Sequence, residues 1–289
     1  MSQRDDSAAE AVNPYRDSSR QKGSILPLLL EHLRDPNPRV RMLSIREIAD
    51  YADDRALAPL LELAEHDPAL EVRCAAILAL GDFVYISGVT CLEEGDELDA
   101  WCQEEALDPA DLERTRDFLL SVYYDQTRTL DERRRAVESL SQMANKVAED
   151  VIAELYARPE KEAKISALKA MGWNGAHRWE KTLRHALLHP DREILIEAIH
   201  AAGESGLEGL GRELWSLTYA EEKDIVLAAI WALGQTGWEG AFERLDELTL
   251  DSDPQIRECA DEAMEEWLFF NGLLEEGNYG RTSRFLDEE

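Results

Sequence analysis

His185 and His189 stand four residues apart, a spacing that sets two imidazoles on one face of a helix and lets both reach one metal ion. A third ligand is missing: Asp191 is near, but Pro190 intervenes. The pair therefore reads as solvent-facing histidines near a helix C-terminus, where basic groups suit the helix dipole. The run Glu93-Glu94-Gly95-Asp96-Glu97 offers hard oxygen ligands of the kind Ca²⁺ takes, without the alternating ligand positions of an EF-hand loop. It reads as a solvated charge run. The four cysteines, Cys74, Cys91, Cys102 and Cys259, form no CxxC pair. Cys74 and Cys259 fall within apolar helical patterns and read as reduced, buried thiols. Cys91 and Cys102 flank an acidic stretch and would pair only if the loop geometry allowed it. No metal, cofactor or catalytic constellation is expected.

The elements that must carry these groups are set by a repeat. Ala136, Ala167, Ala198, Ala229 and Ala260 recur every 31 residues, and Gly172, Gly203 and Gly234 keep the same step. Such a beat belongs to stacked copies of one supersecondary unit. With Ala76 as origin, further copies align on Ser44 and on those five alanines. One position later a large apolar residue follows in six of seven copies, with Asp261 the exception. Four positions earlier the residue is apolar except at Glu132. Apolar positions at steps of three and four make one buried stripe per helix. Each unit is expected to hold two helices of roughly 12 residues. Gly81, Gly172, Gly203 and Gly234 are expected to end the second helices as left-handed caps, with Gly175, Gly206 and Gly237 completing a GxxG turn.

The step from Ala76 to Ala136 is 60 residues. Between them lies an interval without Lys, Arg or His from Cys74 to Glu113, dense in acids, read as a decayed repeat or an inserted acidic flap over about 84–109. Arg128, Arg133, Arg134 and Arg135 follow it and are expected to pair with it as a latch. Residues 1–23 are polar and aperiodic and read as a disordered tail. Residues 273–289 read as a polar tail, within which Arg281-Thr282-Ser283-Arg284-Phe285-Leu286 could dock as a short linear motif.

The string Asp67-Pro68-x-x-x-Val72-Arg73-x-x-Ala76-x-x-Ala79-Leu80-Gly81 resembles a HEAT repeat of the short type found in phycobilisome-lyase-like proteins. The resemblance covers about 25–271 and implies an all-α fold: a right-handed α-α superhelix of about seven helix pairs, a HEAT-like solenoid spanning 24–272. It implies a ladder of arginines, Arg41, Arg73, Arg133 and Arg257 with Lys164 as a variant, set against turn aspartates and interrupted at Leu195 and Val226. Some hydroxylases of this architecture bind iron through His-Glu dipeptides. Here Glu31-His32 and Glu65-His66 run in the reverse order, so that site does not carry over. HEAT-like DNA glycosylases need a cationic face, and this chain has 61 acids against 31 bases, a formal net charge of -30.

That charge argues against nucleic acid and anionic membranes as partners; it reads either as a device for solubility or a salt-rich cytoplasm, or as an acidic surface that meets a protein with a basic one. No stretch reaches the ~18 apolar residues of a membrane span, and the N-terminal residues lack a secretory apolar core, so the cytoplasm is the expected compartment. In the resemblance, second helices line the binding side. The column two after the origin, Arg46, Leu78, Glu138, Lys169, His200, Trp231 and Glu262, is expected to face outward, with Trp231 as anchor beside His200 and Lys169. A ring of Trp231 lying flat over a neighbouring helix is the competing reading. Glu93, Glu94, Asp96 and Glu97 of the acidic interval are further candidates for partner contact. The expected function is a noncatalytic interaction scaffold or adaptor, the alternative a bilin-lyase-like or other HEAT-type accessory factor acting on a modified protein. The oligomeric state is left open.

Overall fold

The computed structural model describes residues 25–49, 53–92, 108–143 and 145–273, with the backbone alone over 85–92. Among the described residues every regular element is a helix, and the helices come in seven antiparallel pairs. They are α1 (25–32) and α2 (Pro38–Ala49); α3 (Leu57–His66) and α4 (Leu70–Leu92); α5 (Pro109–Tyr124) and α6 (Leu130–Leu140). Then follow α7 (Lys146–Tyr156) and α8 (Lys161–Asn174); α9 (Glu180–Ala186) and α10 (Arg192–Glu204); α11 (Gly211–Leu217) and α12 (Lys223–Gln235); α13 (Phe242–Thr249) and α14 (Pro254–Phe270). Each second helix packs on the second helix of the next pair, so the chain is an all-α superhelix with one continuous core.

The origin column is the seam of this core. Ala76, Ala136, Ala167, Ala198, Ala229 and Ala260 are completely buried, and Ser44 nearly so. The first helices depart from the expected length: α9, α11 and α13 span only 7, 7 and 8 residues, each entered through a three-residue 3-10 turn. A 31-residue unit that devotes 13 residues to its second helix, as α10 and α12 do, leaves little for the first.

The two glycine columns divide their work differently from the sequence expectation. Gly81, Gly172, Gly203 and Gly234 lie inside helices. A Cβ on Gly172 would stand 2.9 Å from the Ala201 Cα, and one on Gly234 would stand 2.5 Å from the Ala263 carbonyl oxygen. These glycines are where successive second helices touch backbone to backbone. The left-handed turn falls to the later column, Gly175, Gly206 and Gly237, with φ of 62°, 59° and 62°.

The arginine column works mainly by capping the preceding turn. Arg41, Arg73 and Arg257 donate through Nη1 to the carbonyls of Asp35, Asp67 and Asp251, each six residues back. Arg133 reaches the Tyr123 carbonyl and Lys164 the Tyr156 carbonyl. Only Arg41 adds a two-pronged pair to a turn aspartate of the next unit, Asp67, with both N–O distances at 2.8 Å. Where Leu195 and Val226 break the column, a second ladder runs along the starts of the second helices. Lys161 pairs with Asp191 and Glu193, Arg192 with Asp224, and Lys223 with Asp253.

Across the 60-residue step, α4 packs directly on α6. Ser139 Oγ donates to the Ile77 carbonyl at 2.8 Å, and a Cβ on Gly81 would meet the Ser139 Cα at 3.0 Å. The same contact that joins other neighbours thus joins these two. Helix α4 itself continues to Leu92, and residues 93–107, with Glu93, Glu94, Asp96 and Glu97, lie outside the described residues.

Glu132, the exception in the apolar column, is buried at this junction. Its carboxylate accepts from Arg73 Nε at 2.7 Å and from Arg128 Nη1 at 3.2 Å, and closes a capping box with Thr129. Burial opposes ionisation, but the hydrogen bonds from Arg73, Thr129 and Arg128 outweigh it and hold the carboxyl at about 2. Arg128 also grips Glu65 and the Ala64 carbonyl. Arg134 and Arg135 hold Asp131 and Glu138. Among the described residues the basic cluster is thus engaged by the array's own acids and by the Tyr123 carbonyl, and the acidic interval expected to pair with it lies largely outside them.

Candidate functional site: a groove along the second helices

The face formed by the second helices carries two open clefts that share Trp173. The first, about 460 Å³, is lined by Lys169 and Trp173 of α8, Glu197, His200, Ala201 and Glu204 of α10, and Trp231 of α12. The second, about 610 Å³, runs from Met42 and Arg46 on α2 past Leu78 on α4 to Glu138 on α6. Lys169, His200 and Trp231, one repeat apart from each other in sequence, therefore meet in one place.

Their packing is specific. The His200 and Trp231 rings meet edge to face, with centroids 5.7 Å apart and planes at 83°. The Lys169 ammonium sits 4.7 Å from the centre of the Trp173 ring. Trp231 rests on α10, because Gly203 leaves the space its ring occupies. It also stays half-buried and lines the cleft, so the ring is both packed on its neighbour and presented to the groove.

Several polar groups here have unused capacity. Among the described residues no hydrogen bond or salt bridge engages Glu197 or Lys169. Burial raises the Glu197 carboxyl above the ordinary range, Lys169 pulls it down, and Glu138 and Glu204 add to the rise. Burial lowers the His200 imidazole; Glu204 opposes that change and Lys169 reinforces it. The two clefts are lined by Glu47, Asp82, Glu138, Glu197 and Glu204 against Arg46 and Lys169, so the groove is acidic.

One member of the column departs from the expected orientation. Glu138 is buried, its carboxylate drawn in by Arg135 at 2.5 Å. A glutamate three residues after an arginine on a helix is the signal that could have revealed this. Trp173 and Glu197, which lie outside that column, were missed as cleft residues. Among the described residues, His185, His189, Cys74 and Cys259 do not line the groove. His189 accepts the Asp191 N–H through Nδ1, and among the described residues no group of three or more His, Cys, Asp or Glu could hold a metal ion. Cys74 and Cys259 are free and half-buried; burial, aided by Asp131 and Glu132, pushes the Cys74 thiol up to about 11. Such a thiol is a poor nucleophile.

A family model described as HEAT repeats matches residues 19–108. Helix pairs continue from there to α14, with glycines of the same column at Gly172, Gly203 and Gly234. Residues 19–108 are HEAT repeats, and the same all-α superhelix continues beyond them. Among solved structures, it is similar to the complex of CpcE and CpcF of phycocyanin lyase from a Nostoc species, with a TM-score of 0.53 and 15% identity over 95% of this chain and 99% of that one. It also matches YibA of E. coli, with a TM-score of 0.44 and 16% identity over 89% of each chain. Human deoxyhypusine hydroxylase gives a TM-score of 0.36 and 13% identity over 87% of this chain and 99% of that one. No curated protein matches the sequence. The HEAT-repeat fold is a helical scaffold, and among the described residues no helix is long and apolar enough to cross a membrane.

Proposed function

We propose that this HEAT-repeat solenoid is a noncatalytic interaction scaffold that holds a protein with a basic surface in the groove of its second helices. The observation that carries this reading is the convergence of Lys169, His200 and Trp231, from three successive repeats, around one open acidic cleft. Trp231 is preset by Gly203 and His200, so little ordering entropy remains to be lost when a partner covers it. Glu197 gains most from a partner, because a half-buried carboxylate without a hydrogen bond welcomes a lysine or arginine. The net charge of -30 steers such a partner and repels phosphate backbones. In the same proposal the protein works in the cytoplasm.

The test is capture of a partner from the native cell by the full chain and by Trp231→Ala, with helicity followed by circular dichroism. The reading expects the substitution to weaken capture and leave helicity intact. Unchanged capture would remove Trp231 from the site, and recovery of nucleic acid in place of protein would overturn the charge argument.

A further inference from the structure

Leu188, Tyr219 and Leu250 are large apolar residues left 75%, 55% and 82% exposed. Single exposed leucines are ordinary on a protein surface. These three, however, are spaced 31 residues apart, so they hold the same place in three consecutive repeats, just after α9, α11 and α13. The corresponding positions of the two preceding repeats hold Ala157 and Gln126. The stripe therefore begins at the fifth pair and is confined to the turns that lead into the second helices. Its central member is held in place: the Trp215 ring meets Tyr219 edge-on with centroids 5.0 Å apart, and the Arg244 guanidinium lies 3.8 Å from the Tyr219 centroid.

The charges along this edge say what kind of chain fits it. Its bases are already occupied: Arg192 by Asp224, Lys223 by Asp253 and Arg244 by Glu247. Glu221 and Glu222 are exposed between Tyr219 and Leu250, and Asp251 follows directly. Neighbouring helices in such stacks lie about 8–10 Å apart. A segment in the extended polyproline II conformation rises about 3.1 Å per residue with three residues per turn, so every third side chain lies on one face about 9 Å from the last, in step with the stripe.

We propose that this turn edge, separate from the groove, is a docking ladder for an extended segment of a partner protein that carries an apolar side chain at every third position with lysine or arginine between. The probe is a labelled peptide of four Leu-Lys-Ser repeats, compared by fluorescence anisotropy with a peptide of the same composition in shuffled order. The full chain binds the periodic peptide at least about tenfold more tightly. Combined Leu188→Ser, Tyr219→Ser and Leu250→Ser substitutions abolish that preference, while Trp231→Ala keeps it, which separates this edge from the groove. The exposed positions allow the triple variant to fold, and an unchanged thermal unfolding curve verifies it. Equal binding of the two peptides, or a triple variant that retains the preference, would overturn the proposal. So would a dimer that the triple substitution dissociates, since a second copy of the chain would then be the occupant.

Discussion

Gly203 lies directly beneath Trp231: a Cβ built on that glycine would stand 2.7 Å from Cζ3 of the ring and 2.9 Å from the Ala232 Cα. The position that lets α10 and α12 approach is thus also the position that seats the tryptophan of the groove. Construction of the array and presentation of its surface depend on the same missing methyl group.

The two glycine columns should respond differently to alanine. Gly203→Ala forces a methyl against a rigid backbone and should cost about 2 kcal/mol, in the range of overpacked cores. Gly206→Ala meets only the Gln235 carbonyl oxygen at 4.0 Å, but must hold a φ of +59°. It should cost about 1 kcal/mol. Urea unfolding followed by circular dichroism checks the order; a milder effect at Gly203 than at Gly206 would contradict the packing role.

Glu132 should make the array sensitive to acid. Its carboxyl is held at about 2 against an ordinary 4.5, so its contribution is fully present above about pH 4.5 and fades as the pH falls toward 2. Glu132→Gln, which leaves Arg73 and Arg128 facing a neutral group, should destabilise the fold by about 3 kcal/mol at neutral pH. It should also flatten the stability profile between pH 4.5 and 2. A variant with the wild-type acid profile would show that other carboxylates set it.

The His200 imidazole should titrate below the ordinary histidine value of 6.5, because burial disfavours its charged form and Lys169 reinforces that. Its folded pKa is depressed, so this group takes stability away as the pH falls below 6.5. Lys169→Met should move the titration upward without restoring it fully, since burial remains. Heteronuclear NMR of the ring reads both. A wild-type titration at or above 6.5 would contradict the cleft geometry.

Most of the architecture was legible because it is periodic. The 31-residue step of the alanines and the apolar positions around them predicted a stack of helix pairs, and those alanines form its buried seam. What escaped was local. Two glycines three residues apart look alike in sequence, yet one is required by a neighbouring backbone and the other by its own φ, and only the packing of repeats distinguishes them. Glu132 read as a break in an apolar column because its partners Arg73 and Arg128 come from different turns. Of the candidate site, Lys169, His200 and Trp231 could be aligned from the repeat, whereas Trp173 and Glu197 line the cleft from other positions of their repeats. Glu93, Glu94, Asp96 and Glu97 fall outside the described residues.

The central claim is that the groove holds a basic protein through Trp231. The most direct measurement is quantitative co-purification of full-length wild type and Trp231→Ala from the native cell, with mass spectrometry of the bound fraction and circular dichroism of both proteins. The account predicts a stoichiometric basic partner whose recovery falls about tenfold or more with Trp231→Ala, the loss typical of a truncated tryptophan hot spot, at unchanged helicity. Equal recovery of that partner by both proteins would contradict it.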